Sequence, residues 1–228
     1  RATADYANSK GSRVHYLLEK DLLDMYGSYK DVRKPIFDCD EQQVSDGNAM
    51  IDAGHDFIRL MHRRGWVLLD TEMVLGSPEL AYTGQPDKVW IKVIDGTLGF
   101  LITDWKTNKP KNFEVHAYTE PMLEPFEDYM DTALSHYMIQ LPLYGRLILD
   151  MLKGTKFNDI KFFGCTIVHL TSGGNHKEYI VDDNFMERVL TMDPLPRIKE
   201  VMEYKKLQIN RNKKRMRLVE QELKKIND

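Results

Sequence analysis

Cysteine is nearly absent from this 228-residue chain: Cys39 and Cys165 are its only two. They cannot build a disulfide scaffold, a four-thiolate metal site or an iron–sulfur cluster. Long apolar runs are missing too. Nowhere do about 18 apolar residues follow one another, so the sequence predicts no membrane span. Internal repeats and low-complexity tracts are absent, which excludes a repeat array. Neither sign of charge dominates, with 32 Lys+Arg against 35 Asp+Glu for a net −3. That total points away from nucleic-acid-binding domains, which are often strongly basic. No charged-then-apolar leader pattern is visible, and a chain beginning at Arg1 rather than Met is expected to lack its true N-terminus.

What is present is a hydrophobic fraction of 42%, enough for a sizeable core. At roughly 150 residues per domain, the length predicts one domain over 1–228. Its core is expected at about 11–182, with a helical extension over about 183–228. Val14, Leu17, Leu18, Leu22 and Leu23 recur at helical spacing after Gly11-Ser12, with Ser12 as the expected N-cap. Residues 30–47 read as a loop. Residues 49–64 read as a second amphipathic helix with Ile51, Phe57, Ile58 and Met61 facing inward. A strand is expected from Trp66 to Leu75, broken by Gly76-Ser77-Pro78. Two more, Val89 to Ile94 and Leu98 to Asp104, flank Asp95-Gly96, a dipeptide favoured in tight type I′ hairpins. A long helix over about 129–153 contains Pro142, which should kink it or open its first turns. A fourth strand over 162–170 ends at Ser172-Gly173-Gly174, and helices follow from Asp183. This order predicts a mixed α/β layer arrangement around one sheet.

The chemistry concentrates in Gly84-Gln85-Pro86-Asp87-Lys88-Val89-Trp90 and Ile102-Thr103-Asp104-Trp105-Lys106-Thr107. Asp87 and Asp104 are nearly equidistant from the Asp95-Gly96 turn, so an antiparallel hairpin sets them side by side. Two carboxylates meeting at a strand end are costly unless a cation or a shared proton neutralises them. Hard oxygen donors suit Mg²⁺ or Mn²⁺. Strand alternation points Asp104 and Lys106 to one face. A metal-holding carboxylate beside an ammonium is an arrangement suited to phosphodiester cleavage.

Asp87 followed by Asp104-Trp105-Lys106 resembles the signature of the PD-(D/E)XK nucleases, and Pro86-Asp87 matches its first two letters. Two flanking motifs resemble the RecB-like exonuclease branch. Gly11-Ser12-Arg13-Val14-His15-Tyr16-Leu17-Leu18-Glu19 matches its Gly-Ser/Thr-x-x-His-x-x-x-Glu helix. Gln140-Leu141-Pro142-Leu143-Tyr144 matches its Gln-x-x-x-Tyr motif, whose spacing puts both side chains on one helix face. The resemblance covers roughly residues 11 to 150.

The resemblance implies a restriction-endonuclease-like core, with a mixed central sheet flanked by helices. It implies one or two Mg²⁺ or Mn²⁺ ions held by His15, Asp87, Asp104 and the main-chain carbonyl of Trp105, with Glu72 as a candidate further ligand. Lys106 would orient or activate the attacking water, and Gln140 and Tyr144 would position substrate. DNA is the implied partner, as a single strand or a duplex end, with replication or recombination proteins as further partners. The implied setting is the cytoplasm of a bacterium or phage-infected cell. Branch members that hold an iron–sulfur cluster use four cysteines, so they are excluded as close models. Two other readings stay open: an endonuclease that cleaves RNA or a particular nucleic-acid structure, and a nucleic-acid-binding module on an inactivated nuclease fold.

Each feature has a plainer counterpart. A lone Asp-Trp-Lys is commonly a solvated hairpin end, and a lone His15 a surface histidine. Glu72 reads equally as ligand or exposed strand carboxylate, and His55 reads as structural. Charge is uneven: residues 205–225 hold nine Lys/Arg against two Glu, while residues 112–145 hold six acids and no Lys or Arg. The basic segment reads as a solvated helix face or as a phosphate-contacting arm.

Overall fold

The computed structural model describes residues 2–27, 37–109, 113–114, 119–193, 196, 199–200, 203–207 and 209. Two compact units divide the chain: residues 1–78 with 82–191, and residues 79–81 with 192–228. In the second, residues 203–207 are helical. Apart from 205–207 and 209, the basic segment lies outside the described residues.

The first unit is mixed α/β. Helices α1 (Ala2–Met25) and α2 (Glu41–Arg63) precede β1 (Val67–Thr71), β2 (Leu75–Ser77), β3 (Tyr82–Gly84), β4 (Lys88–Ile94) and β5 (Thr97–Lys106). Then come α3 (Ala133–Leu152), β6 (Lys161–Leu170), β7 (His176–Ile180) and α4 (Asp183–Thr191). The central sheet has five strands in the order β1-β4-β5-β6-β7. β5 and β6 are parallel and the other neighbours antiparallel. A parallel pair needs a crossover, and α3 lies in that connection.

Both N-terminal helices form where their apolar stripes predict. Val14, Leu18 and Leu22 of α1 pack with Met50, Phe57, Ile58 and Met61 of α2 against Trp66, Trp90, Trp105 and Val168. On α3, Gly145 admits the Phe162 ring of β6: a Cβ there would meet Phe162 Cε1 at 2.4 Å.

Several boundaries differ from expectation. Ser12 lies inside α1, which extends back to Ala2, so it caps nothing. The second helix starts at Glu41, because Asp40 and Gln43 form a capping box that holds its first turn. The expected strand from Trp66 to Leu75 is two strands in different sheets, since Glu72 takes φ 49° and turns the chain out of line. β2 pairs instead with β3 in a small separate hairpin. β7, which the sequence pattern leaves unmarked, pairs with β6 across the glycine turn. α3 begins only at Ala133, with Thr132 capping Ser135 N, and Pro142 lies within it. Among the described residues no helix is long and apolar enough to cross a membrane.

Candidate active site

Strand register brings the two aspartates together. β4 and β5 pair from Ile94↔Thr97 beside the turn to Lys88↔Thr103, so one further step sets Asp87 opposite Asp104. The turn has the expected left-handed pair, Asp95 at φ 49° and Gly96 at φ 76°. Both carboxyl groups are buried, Asp87 at 5% exposure and Asp104 at 4%.

Asp87 ties three elements together. Its Oδ1 is 3.2 Å from His15 Nδ1 of α1, and its Oδ2 accepts the Trp105 main-chain N–H of β5 at 2.6 Å. Its carbonyl oxygen accepts the Glu72 main-chain N–H at 3.0 Å. That bond holds the strained bend after β1 and brings the Glu72 side chain inward. His15, Glu72 and Asp87 each offer a ligand atom, and these lie within 4.8 Å of one another.

Charge in this pocket is poorly solvated. Burial, then repulsion from Asp87, pushes the Glu72 carboxyl up to about 8. Burial and Asp87 also push Asp104 up to about 6. Burial works against the Asp87 carboxylate as well, yet His15, Lys88 and Lys106 outweigh it and hold Asp87 below the usual range. Burial pulls His15 down, but its contact with Asp87 prevails and the net shift is upward. An imidazole and two carboxylates that repel one another when ionised are a donor set that a divalent cation neutralises, so the residues present fit one.

Lys106 ion-pairs with Asp104, its side chain 15% exposed. Burial works against the ammonium, but Asp104 and Asp87 raise its proton affinity overall. Gln140 donates to the Tyr144 hydroxyl, as the motif spacing predicts. Burial, then the Asp104 charge, pushes the Tyr144 hydroxyl up. Tyr144 packs against Gly84 of β3, where a Cβ would meet its Cδ1 at 2.3 Å. Trp105 enters the site through its main-chain N–H, while its indole joins the core with Phe57 edge-on at 5.4 Å.

The three-donor group does not include Asp104, which sits beside it with Lys106. Cys39 is half-buried and Cys165 buried. His55 bridges the two N-terminal helices, its Nε2 3.1 Å from Asp21 Oδ2. Of the acid-only stretch, Glu114, Asp128 and Asp131 pair at the surface with Lys177, Arg188 and His136.

Lys88 escapes sequence reasoning, and Glu19 is matched there only as the last residue of the helix motif, with no role assigned. Lys88 is fully buried, its Nζ donating to the Asp87 carbonyl at 3.0 Å and lying 5.7 Å from the Trp105 ring centroid. Burial pushes its ammonium down, while Asp87, Glu72, Glu19 and Asp104 pull it back up. Glu19, one helical turn past His15, is buried at 7% and accepts the Thr71 hydroxyl at 3.2 Å. In sequence Lys88 looks like an ordinary polar strand residue; only its place beside Asp87 could have marked it.

No protein-family model matches the chain, and no curated protein does. Among solved structures, the chain is similar to the crystal structure of a "Putative exonuclease" from Eubacterium rectale. The identity is 14% and the TM-score 0.48, covering 86% of this chain and 67% of that one.

Proposed function

We propose that this chain is a metal-dependent nuclease of the PD-(D/E)XK type, hydrolysing DNA phosphodiesters from strand ends. The observation that carries the reading is the convergence of the His15, Glu72 and Asp87 donors within 4.8 Å, beside the Asp104–Lys106 ion pair. His15, Glu72 and Asp87 hold the cation, with Asp104 and the Trp105 carbonyl as further ligands. Mg²⁺ or Mn²⁺ bound there supplies an acidified water and offsets charge on the phosphate. Asp87 keeps the His15 ring oriented through Nδ1. Lys106 holds the attacking water and stabilises charge growing on the phosphate oxygens. Gln140 and Tyr144 position the strand end, Tyr144 braced by Gly84.

Digestion of end-labelled DNA and RNA, single- and double-stranded, linear and circular, tests this directly. Linear DNA should be degraded in Mg²⁺ or Mn²⁺, circular DNA spared, and EDTA should stop the reaction until Mn²⁺ is restored. Cleavage that survives EDTA overturns the metal mechanism, and RNA cut in preference to DNA overturns the substrate assignment.

A further inference from the structure

Lys106 has a second neighbour besides Asp104. Tyr137, in the second turn of α3, presents its ring to the ammonium, with Nζ 4.1 Å from the ring centroid. The ring is itself fixed. Its hydroxyl donates to Asn108 Oδ1 at 3.5 Å, and its face leans on Phe113 with centroids 6.0 Å apart. Phe113 is fully buried and stacks on His169 at 4.3 Å. His169 Nε2 in turn meets the Asn108 carbonyl oxygen at 2.7 Å. Tyr137 shares a helix face with Gln140 and Tyr144, at i+3 and i+7, so α3 turns three polar-tipped side chains the same way.

We propose that Tyr137 is a positioning residue for the reaction, its ring face holding the Lys106 ammonium where the water and the phosphate need it. The proposal rests on the nuclease reading of this site. A lysine head sits on a flexible four-carbon stem, and holding it in one place costs rotamer freedom. A carboxylate alone is an insecure tether, because whatever competes for Asp104 also releases Lys106. A neutral ring has no such competitor. Its negative face attracts the ammonium at any ionic occupancy of the carboxylates, and most strongly where water is largely excluded.

Fluorination separates this role from mere packing, because it drains the ring's negative face while nearly keeping its shape. Tyr137→Phe, then phenylalanine at 137 carrying one, two or three fluorines, would be compared in the full chain with Tyr137→Leu. Single-turnover cleavage of end-labelled linear DNA in Mg²⁺ is referred to the Phe variant, which keeps the ring face and loses the bond to Asn108 Oδ1. It should fall stepwise with fluorine to about tenfold below the Phe variant, the scale of a desolvated cation–π contact. Independently of activity, the Lys106 side-chain methylene resonances, assigned against Lys106→Arg, should be shifted upfield by the ring in the parent and return to ordinary values in Tyr137→Leu. A parent that cuts DNA while the fluorinated series and the Leu variant cut equally fast overturns the role of Tyr137 alone, as does an unshifted Lys106 resonance. A parent that cuts no nucleic acid overturns the nuclease reading, and the role of Tyr137 falls with it.

Discussion

His15 and Asp87 stand 72 positions apart in the chain, yet the imidazole Nδ1 lies 3.2 Å from the Asp87 carboxylate. That contact joins the first helix to the β4–β5 hairpin, and it makes the proposed metal site depend on helix docking. His15→Ala should leave the fold intact while raising the Mn²⁺ concentration needed for half-maximal cleavage by about 10–100-fold. Metal titration by calorimetry checks it, and an unchanged requirement would remove His15 from the donor set.

Lys106→Met keeps the length of the side chain and deletes its charge. Cleavage should drop by about 10²–10³-fold, the usual cost of removing one group that stabilises transition-state charge, with little change in metal affinity. A rapid-quench assay against the parent decides between this and a purely structural lysine.

Buried Lys88 predicts a different phenotype. Lys88→Met removes a buried cation from beside Glu72, Asp87 and Glu19, and losing one member of a buried charge group costs about 3–5 kcal/mol. Urea denaturation in EDTA should show that loss, and added Mg²⁺ should recover part of it. Equal stability of parent and variant in EDTA would mean that the cluster does not need this ammonium.

Proton linkage sets the pH behaviour of the metal-free protein. Glu72 and Asp104 rise from ordinary values of 4.5 and 3.8 to about 8 and about 6. Between those limits the folded state binds more protons than the unfolded chain, so these two groups make stability fall as pH rises. Asp87 has the opposite sign: its lowered pKa adds stability above its ordinary value and loses it as pH falls below. A cation competes with the protons on Glu72 and Asp104, so stabilisation by Mg²⁺ should grow between about pH 5 and about pH 8. Scanning calorimetry with and without Mg²⁺ measures that difference, and Glu72→Gln should shrink it. A Mg²⁺ effect that is constant across the range would contradict the coupling.

Gly84→Ala would drive a methyl into the Tyr144 ring, 2.3 Å from where that Cβ would sit. Overpacking of this kind costs about 1–3 kcal/mol. Cleavage should fall as Tyr144 is displaced, with metal affinity preserved; equal activity would show that the Tyr144 position is unimportant.

The pieces whose causes are local are legible in the order of residues. The apolar stripes of α1 and α2, the Asp95-Gly96 hairpin and the i,i+4 pairing of Gln140 with Tyr144 follow from backbone periodicity and turn sterics. Because the turn sets the register of β4 and β5, even the meeting of Asp87 with Asp104 is legible in the order of residues alone. Other features rest on contacts between residues far apart in the chain, which leave no periodic mark. Glu72, which the resemblance offers as a candidate ligand, takes a strained φ of 49° and bonds to the Asp87 carbonyl, and only this bend brings its carboxyl near His15 and Asp87. Pairing of β7 with β6 needed a partner strand that was already in place. Burial of Lys88 depends on Glu19, one turn along α1, and on three acids from the sheet and its bends. Tyr137 reaches Lys106 only because α3 lies in the crossover connection from β5 to β6. Hairpin geometry determined where the acids would stand; only packing decided which cations, one buried and one against a ring, stand with them.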